Sequence, residues 1–535
     1  MSTAVAPVKA SRYTATVVAG CFAVLLAQVA YSLPGALNGT FQTEFSASGT
    51  DLTWISAAFA IPMVVFELTT GVIGDLFGRK RLLQVGALLT AAGGVVTYAA
   101  GSVEVLWAGQ IVAGLGAAVL YPISLAMIAA LAPSAEQRAK SIALWAGFLS
   151  IGAAIAPMLG GALASAGNWR AAYLIVVAAA AVSILVTFAA TDSSAPEGRK
   201  LDIPGQVTLA VGLIALLFAA THGSEVGFGQ PMIIGAAGLG VILLAAFVRI
   251  ELHTEVPLVQ LGLFSNRAYA VVAMATVIGM FAFLGICFSM SIWLGAIQHQ
   301  EAVRIGILFL FIQGPAFVLV PVVSRLISNV SPRWVLSIGF ASMAVAGIWC
   351  STFDVNDMTW TRFIAPMLAL GIGFAMTVGS ITAVAINTVP LRLAGMASAT
   401  TNLLRDLGFA LGPVLVGAVA TASANARLVA DLEGVVGKLV GSGTLDETHA
   451  DAAVGIGHGG GAMALNSMPV IPGGEPVPMP AEIANLAMES LGAAYNLAFL
   501  VCGVCAAVAA VLTLVGLVGA QAPAELDPAE VPATA

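Results

Sequence analysis

The chain has 535 residues, of which 59% are hydrophobic and only 9% charged, whereas a soluble domain carries roughly 25% charged residues. So few charges cannot build a water-exposed surface, and lipid must be the solvent for most of the exterior. Inside lipid every backbone polar group has to be satisfied within its own helix or a closed barrel, and the long apolar runs select helices. The net charge of −7 is a local feature, its acids gathered in one loop and the C-terminal tail, and nothing in the chain reads as a nucleic-acid-binding surface.

In chain order, Lys9 and Arg12 precede an apolar run too long for a removed signal peptide, which predicts an uncleaved first span. At roughly 17 to 25 apolar residues per crossing, spans fall near 14–35, 53–74, 82–100, 104–130, 139–165, 170–190, 203–222, 231–250, 269–297, 304–328, 334–353, 361–388, 394–423 and 491–518. That makes about fourteen transmembrane helices, an even number, which puts both termini on one side. Fourteen cations share that side (Lys9, Arg12, Arg79, Lys80, Arg81, Arg138, Lys140, Arg199, Lys200, Arg249, Arg267, Arg325, Arg333 and Arg392), and five lie on the other (Arg170, Arg304, Arg362, Arg427 and Lys438). Because Lys and Arg accumulate on the cytoplasmic side, the expected location is the plasma (inner) membrane, multi-pass, with both termini cytoplasmic.

A polar, Pro- and Gly-containing stretch at 192–202 separates the first six spans from the rest, as a cytoplasmic linker would. The last six spans resemble a faint copy of the first six. Span 5, approached through Pro133 and Arg138, contains Gly152, Ala156 and Pro157; span 13, approached through Pro390 and Arg392, contains Gly408, Gly412 and Pro413. The expected division is an N-terminal six-helix bundle (1–190), a linker with two inserted spans (191–255), five spans of a C-terminal bundle (256–423), an extracytoplasmic loop (424–490), the last span (491–520) and a cytoplasmic tail (521–535). The 424–490 loop opens amphipathically at Leu428, Leu432, Val435, Val436 and Leu439 and then turns Gly- and Pro-rich, where ordered structure is least expected. Its eight acids against Arg427 and Lys438 read as a solvated connector.

Between spans 2 and 3 lies Gly71-x-x-Gly74-Asp75-x-x-Gly78-Arg79-Lys80-Arg81. The glycines permit close helix contact and a tight reversal, the acid can pair at the rim, and the cations anchor to head groups. Directly after a span, this string resembles the signature loop of the major facilitator superfamily. Span 5, with Gly152, Ala156, Pro157, Gly160 and Gly161, resembles the antiporter motif of its fourteen-span drug:proton antiporter branch, Ala156 standing where Gly is usual. Asn168, Trp169 and Arg170, then Leu201, Asp202, Pro204 and Gly205, then Pro257, Leu258, Leu263 and Phe264 fit the same branch. The resemblance covers essentially the whole chain. It implies a major-facilitator-type fold of two six-helix bundles plus two inserted helices, related by parallel internal repetition. It further implies alternating access and proton-driven export of an amphipathic or cationic small molecule (multidrug-type efflux), with protons and membrane lipid as the other partners.

Two positions depart from the branch's pattern. The acid usual nine residues before Pro34 is Leu25, and the arginine usual four residues before Gly114 is Gln110. The search for a proton-binding group therefore moves elsewhere. Of the forty-seven charged residues only Glu67, Arg405 and Asp406 fall well inside a span, where a charge is costly unless it faces a cavity or a partner. Glu67 lies eight residues before Asp75, about 12 Å deeper along the helix. Glu67 and Asp406 are the proton-coupling candidates, and Gln110 and Arg405 the candidates for lining the transport path. Arg405 and Asp406, adjacent and about 100° apart on a helix, are expected to find separate partners or share a wet cavity.

No two of the five histidines have metal-ligand spacing, and Cys502 and Cys505 sit mid-helix with no second pair, so neither a metal nor a cofactor is expected. No nucleophile elbow or phosphate-cradling loop occurs, so an enzyme is not expected. The alternatives to an exporter are a translocase of lipid or cell-envelope precursors and a non-transporting receptor or scaffold on the same fold. The orientation predicts that a cysteine introduced at Ser442 is labelled by an impermeant thiol reagent added to intact cells and that one at Ser194 is not. The reverse pattern would invert the topology.

Overall fold

The computed structural model describes residues 10–194, 201–254, 257–389, 394–472 and 477–519. Its helices in order are α1 (Ala10–Ser32), α2 (Asn38–Phe45), α3 (Gly49–Phe77), α4 (Arg79–Tyr98), α5 (Val103–Ala130), α6 (Ala135–Ser165), α7 (Ala171–Ala189), α8 (Ile203–Val226), α9 (Pro231–Glu251), α10 (Arg267–Ser291), α11 (Ala302–Asn329), α12 (Pro332–Cys350), α13 (Ile364–Asn387), α14 (Ala394–Gly441), α15 (Glu447–Ser467) and α16 (Ala481–Gly516). Local chemistry sets several boundaries. Ser48 and Asp51 form a reciprocal capping box at the start of α3. Asn266 Oδ1 accepts from the N–H groups of Ala268 and Tyr269 at the start of α10. Gly78 breaks α3 from α4 at φ +99°, a conformation that favours glycine.

Thirteen of the described helices are long and apolar enough to cross a membrane. The remaining expected span is α4, a 20-residue helix whose first turns carry Arg79, Lys80, Arg81 and Gln84, which lowers its hydropathy. It packs against α5 and α7. Helices α1 and α3–α7 form one six-helix bundle, and α10–α14 with α16 form the other; α8 and α9 pack on each other, with α8 bridging α3 and α14.

Three features differ from the sequence-based expectation. The 424–490 stretch is largely helical in its described part: α14 runs on to Gly441, α15 folds back along it, and β1 (Val470–Ile471) pairs with β2 (Val477–Pro478). Glycines disfavour isolated helices, but here Gly457 lets Leu432 and Leu428 of α14 approach closely, and Gly461, at φ +69°, makes a kink beside Asn425. Tertiary packing therefore overrides propensity. Second, the end of the ninth expected span is a π-helical turn, Ile292–Ile297. Third, the short α2 was hidden in what reads as a polar loop. The approach to span 13 at Pro390–Arg392 and the tail at 521–535 lie outside the described residues.

The two bundles meet tightly at the end remote from the N-terminus. There Gly39 of α2 is pressed on the Gly295 backbone, Gly161 of α6 on Ala302, and Gly306 of α11 on Pro157 and Met158, with Gly417 of α14 against Thr53. Asn38 Nδ2 donates to Ser291 Oγ at 2.9 Å, and the Val303 N–H donates to Ser165 Oγ at 3.1 Å. Toward the other end, among the described residues, Gly71, Gly147, Gly314 and Gly379 meet no neighbouring element within 4 Å of where a side chain would begin. The helices are thus sealed at the far end and part toward the near one.

A side chain at Gly39 would have to push the Gly295 backbone away. Overpacking of this kind costs roughly 1–3 kcal/mol, and about 1.4 kcal/mol is tenfold in a conformational ratio. Gly39→Ala should therefore raise the labelling rate of a cysteine placed at Ser291, reached from the far side, by about tenfold or more. An unchanged rate would show that this contact does not hold the far end shut.

Candidate functional site

Between the bundles lies a cavity with about 1150 Å³ of atom-free space, its open mouth included, lined by α1, α3, α5, α6, α10, α11, α13 and α14. Its walls are mostly apolar and aromatic. Phe283, Phe374 and Phe409 form one cluster, with Phe283 and Phe374 stacked at 4.2 Å between ring centres. Tyr31 lies over Phe59 on the opposite bundle. A few polar groups punctuate this surface, as in most small-molecule sites. Tyr121 donates to Gln28 Oε1 at 2.8 Å and Gln28 Nε2 donates to Ser32 Oγ at 2.6 Å.

The charged residues gather here. Arg405 and Asp406 both line the cavity, and they pair with each other: Nε donates to Oδ1 at 2.8 Å and Nη2 to Oδ2 at 2.9 Å. Of the two expected arrangements, separate partners or a shared cavity, the structure shows the second, with the two residues also bonded to each other. The 100° between adjacent positions separates their Cβ atoms, but the arginine stem is long enough to curl back and grip its neighbour with two parallel bonds. Arg405 Nη1 also reaches Asn402. Glu67, on α3, is buried; its carboxyl interacts with both Asp406 and Arg405, and its Oε2 has no hydrogen-bond partner. It is not on the cavity wall but stands behind it, so one acid from the N-terminal bundle faces an acid–base pair from the C-terminal bundle.

Gln110 lines the cavity from α5, with its Oε1 unpartnered. One turn on, Gly114 lets α5 lie against the Phe59 backbone of α3, which brings Gln110 inward. Leu25 is partly buried, with its carbonyl against Gly152 of α6, and the polar group that α1 offers to the cavity comes one turn later, from Gln28. Among the described residues no group of three His, Cys, Asp or Glu side chains converges as a metal site.

The Gly71–Arg81 loop sits well away from these groups. Arg79 donates to Asp75 Oδ1 through Nε at 3.0 Å and Nη2 at 2.7 Å, with both side chains buried. Gly74 packs on Ile123 of α5, and Gly78 packs on Asp192. The Arg79 N–H donates to the Ser193 carbonyl and the Lys80 N–H to Asp192 Oδ1. Lys80 Nζ donates to the carbonyls of Phe188 and Ala190, closing the C-terminus of α7. The loop therefore ties α3 and α4 to the end of α7, while exposed Arg81 is free to meet head groups. The second motif packs α6 on α1 within its own bundle and, at its far end, meets α11 of the other. Gly152 packs on Gln28 and Leu25 of α1, Gly160 on Leu33, buried Ala156 and Pro157 lie in the middle of α6, and Gly161 meets α11.

The sequence profile of the major facilitator superfamily matches residues 20–413. The chain belongs to that superfamily. It is 28% identical over 422 residues, 78% of each chain, to the multidrug resistance protein Stp of Mycobacterium tuberculosis (strain CDC 1551 / Oshkosh). It is 26% identical over 411 residues, 75% of each chain, to the tetracenomycin C resistance and export protein of Streptomyces glaucescens. A solved bacterial homologue of the human lysosomal transporter Spinster, described as inward-facing and unoccupied, shares the fold with a TM-score of 0.59 at 15% identity, covering 95% of this chain and 99% of that one. The protein is thus a membrane transporter of this superfamily and not an enzyme.

Sequence reasoning found the three buried charges and Gln110 but missed the aromatic walls, because Phe in an apolar helix carries no signal of facing a cavity. Gln28 and Gln313 were detectable as amides within spans. Removing one partner of a buried ion pair costs roughly 3–5 kcal/mol. Asp75→Asn should accordingly lower the thermal midpoint by several degrees and slow transport, while ligand still binds. Wild-type transport and melting would reduce the loop to a lipid anchor.

Proposed function

We propose that the protein exports amphipathic or cationic organic compounds in exchange for protons, with the cavity as substrate site and Glu67, Arg405 and Asp406 as the coupling group. The observation that carries this reading is the charge count. Two carboxyls share one guanidinium, so the group is neutral when one carboxyl holds a proton and carries one negative charge when neither does. A charge left unbalanced in a low-dielectric site is expensive. A proton and an organic cation are then alternative ways to neutralise the same group, which couples their movements by mutual exclusion.

Glu67 is the natural proton carrier, because both oxygens of Asp406 are already held by Arg405 whereas Glu67 keeps one oxygen free. Arg405, between acids from opposite bundles, feels the change in Glu67, while Gln110 and the phenylalanines line the path. The stacked and tilted rings suit planar or bulky apolar groups. Support for drug export also comes from the relatives, which are named for multidrug, tetracenomycin C and puromycin resistance. Alternating access follows from the seam: the far-end glycine contacts would part as the near ends close, with the bundles moving as bodies. The cation bias of the loops supports an orientation with the sealed end outside the cell.

Glu67→Gln mimics the protonated form with nearly unchanged shape. In proteoliposomes this variant should lose at least about tenfold of its substrate-induced proton flux while binding neutral aromatic ligands within about twofold of the wild type. Undiminished flux would remove Glu67 from the mechanism and leave it a packing residue.

A further inference from the structure

We propose that Asp202 and Glu251 form a proton-sharing carboxyl pair, a second proton-binding site that lies outside the transport cavity and fastens the two inserted helices to the C-terminal bundle.

Asp202 is the N-cap of α8 and Glu251 the last residue of α9, and both are more than nine-tenths buried. Each uses one carboxyl oxygen for the backbone. Asp202 Oδ1 accepts from the Gly205 N–H at 3.0 Å, and Glu251 Oε2 accepts from the Val259 N–H at 2.9 Å. Each has a second oxygen, Asp202 Oδ2 and Glu251 Oε1, with no partner. Those two oxygens meet over Gly205, where an added side chain would overlap one and crowd the other. Two ionised carboxylates cannot face each other in this way without a cation between them, whereas one proton turns the contact into a short O–H···O⁻ bond that satisfies both.

The surroundings offer no described cation for that place. On α9, Arg249 is exposed, and exposed His253 turns its Nδ1 to the Arg249 carbonyl. The 257–260 segment presents backbone, through Val259. Packed against α8, α3 contributes Thr69 and the Val65 carbonyl, both engaged by Gln206, and α14 contributes apolar Leu411 and Val414. The proton comes from solution at the near end of the helices. Its release would set the two acids repelling and loosen Val259, the anchor of the segment leading into α10.

The test uses the purified full-length protein and follows the carboxylic-acid C=O stretch by infrared difference spectroscopy during a pH titration. Asp202→Asn and Glu251→Gln should each, alone, remove the same single protonated-carboxyl band, and the double variant should remove nothing further. In the wild type, alkaline titration should cut the hydrogen-exchange protection of the Val259 amide by about tenfold, a loss that Asp202→Asn should not show. Bands lost additively would mean two independent acids and overturn the sharing. A spectrum unchanged by both substitutions, or Val259 protection flat with pH in the wild type, would overturn the site altogether, whether or not either variant folds well.

Discussion

A charge buried in a bilayer protein must be balanced where it stands, since neither water nor lipid will do so at low cost. In this transporter the constraint falls on Glu67, Arg405 and Asp406. The bidentate Arg405–Asp406 grip pairs two of the three, and in the proposed coupling Glu67 is the group whose state decides the net charge. The rest of the cavity adds few charges to that balance: aromatic rings form much of its wall, and amides and hydroxyls such as Gln28, Ser32 and Tyr121 bond to one another. A site with little dielectric screening responds strongly to the gain or loss of one charge.

The same economy shapes the scaffold. The bundles touch through glycines at the far end, so their backbones approach without interlocking long side chains, and such a surface can separate and re-form. Within the N-terminal bundle the signature loop does the opposite. Asp75, Arg79 and Lys80 tie α3 and α4 to the end of α7. Loop and seam are therefore complementary, one tying helices within a bundle and the other joining the two bundles. Beyond the membrane, α14 continues unbroken from the Arg405–Asp406 pair to the helical hairpin it makes with α15. Asn466 of that hairpin donates to the carbonyls of Ala296 and Ile297 in the π-helical turn.

Much of this could be read from the chain. Hydropathy found the thirteen described helices that are long and apolar enough to cross a membrane, and the scarcity of charge inside spans singled out Glu67, Arg405 and Asp406. What escaped was whatever depends on partners distant in sequence or on the conformation a side chain adopts. The helicity of the glycine-rich 447–467 stretch comes from leucines of α14 packing on it. The Arg405–Asp406 grip depends on a side-chain conformation that helical spacing does not specify. The Asp202–Glu251 contact joins residues that each look like ordinary helix-end acids. The leucine at position 25 is informative in another way, because without an acid there Glu67 is the deepest carboxyl of the first six spans.

The central claim is that proton and cation neutralise one shared group. It is tested most directly by the affinity of the purified protein for tetraphenylphosphonium, a permanent cation, across a range of pH. If one proton leaves for each cation bound, affinity should fall about tenfold for each unit by which pH drops below the deprotonation of the group, and binding should release about one proton into weakly buffered solution. An affinity independent of pH, with no proton released, would contradict the account.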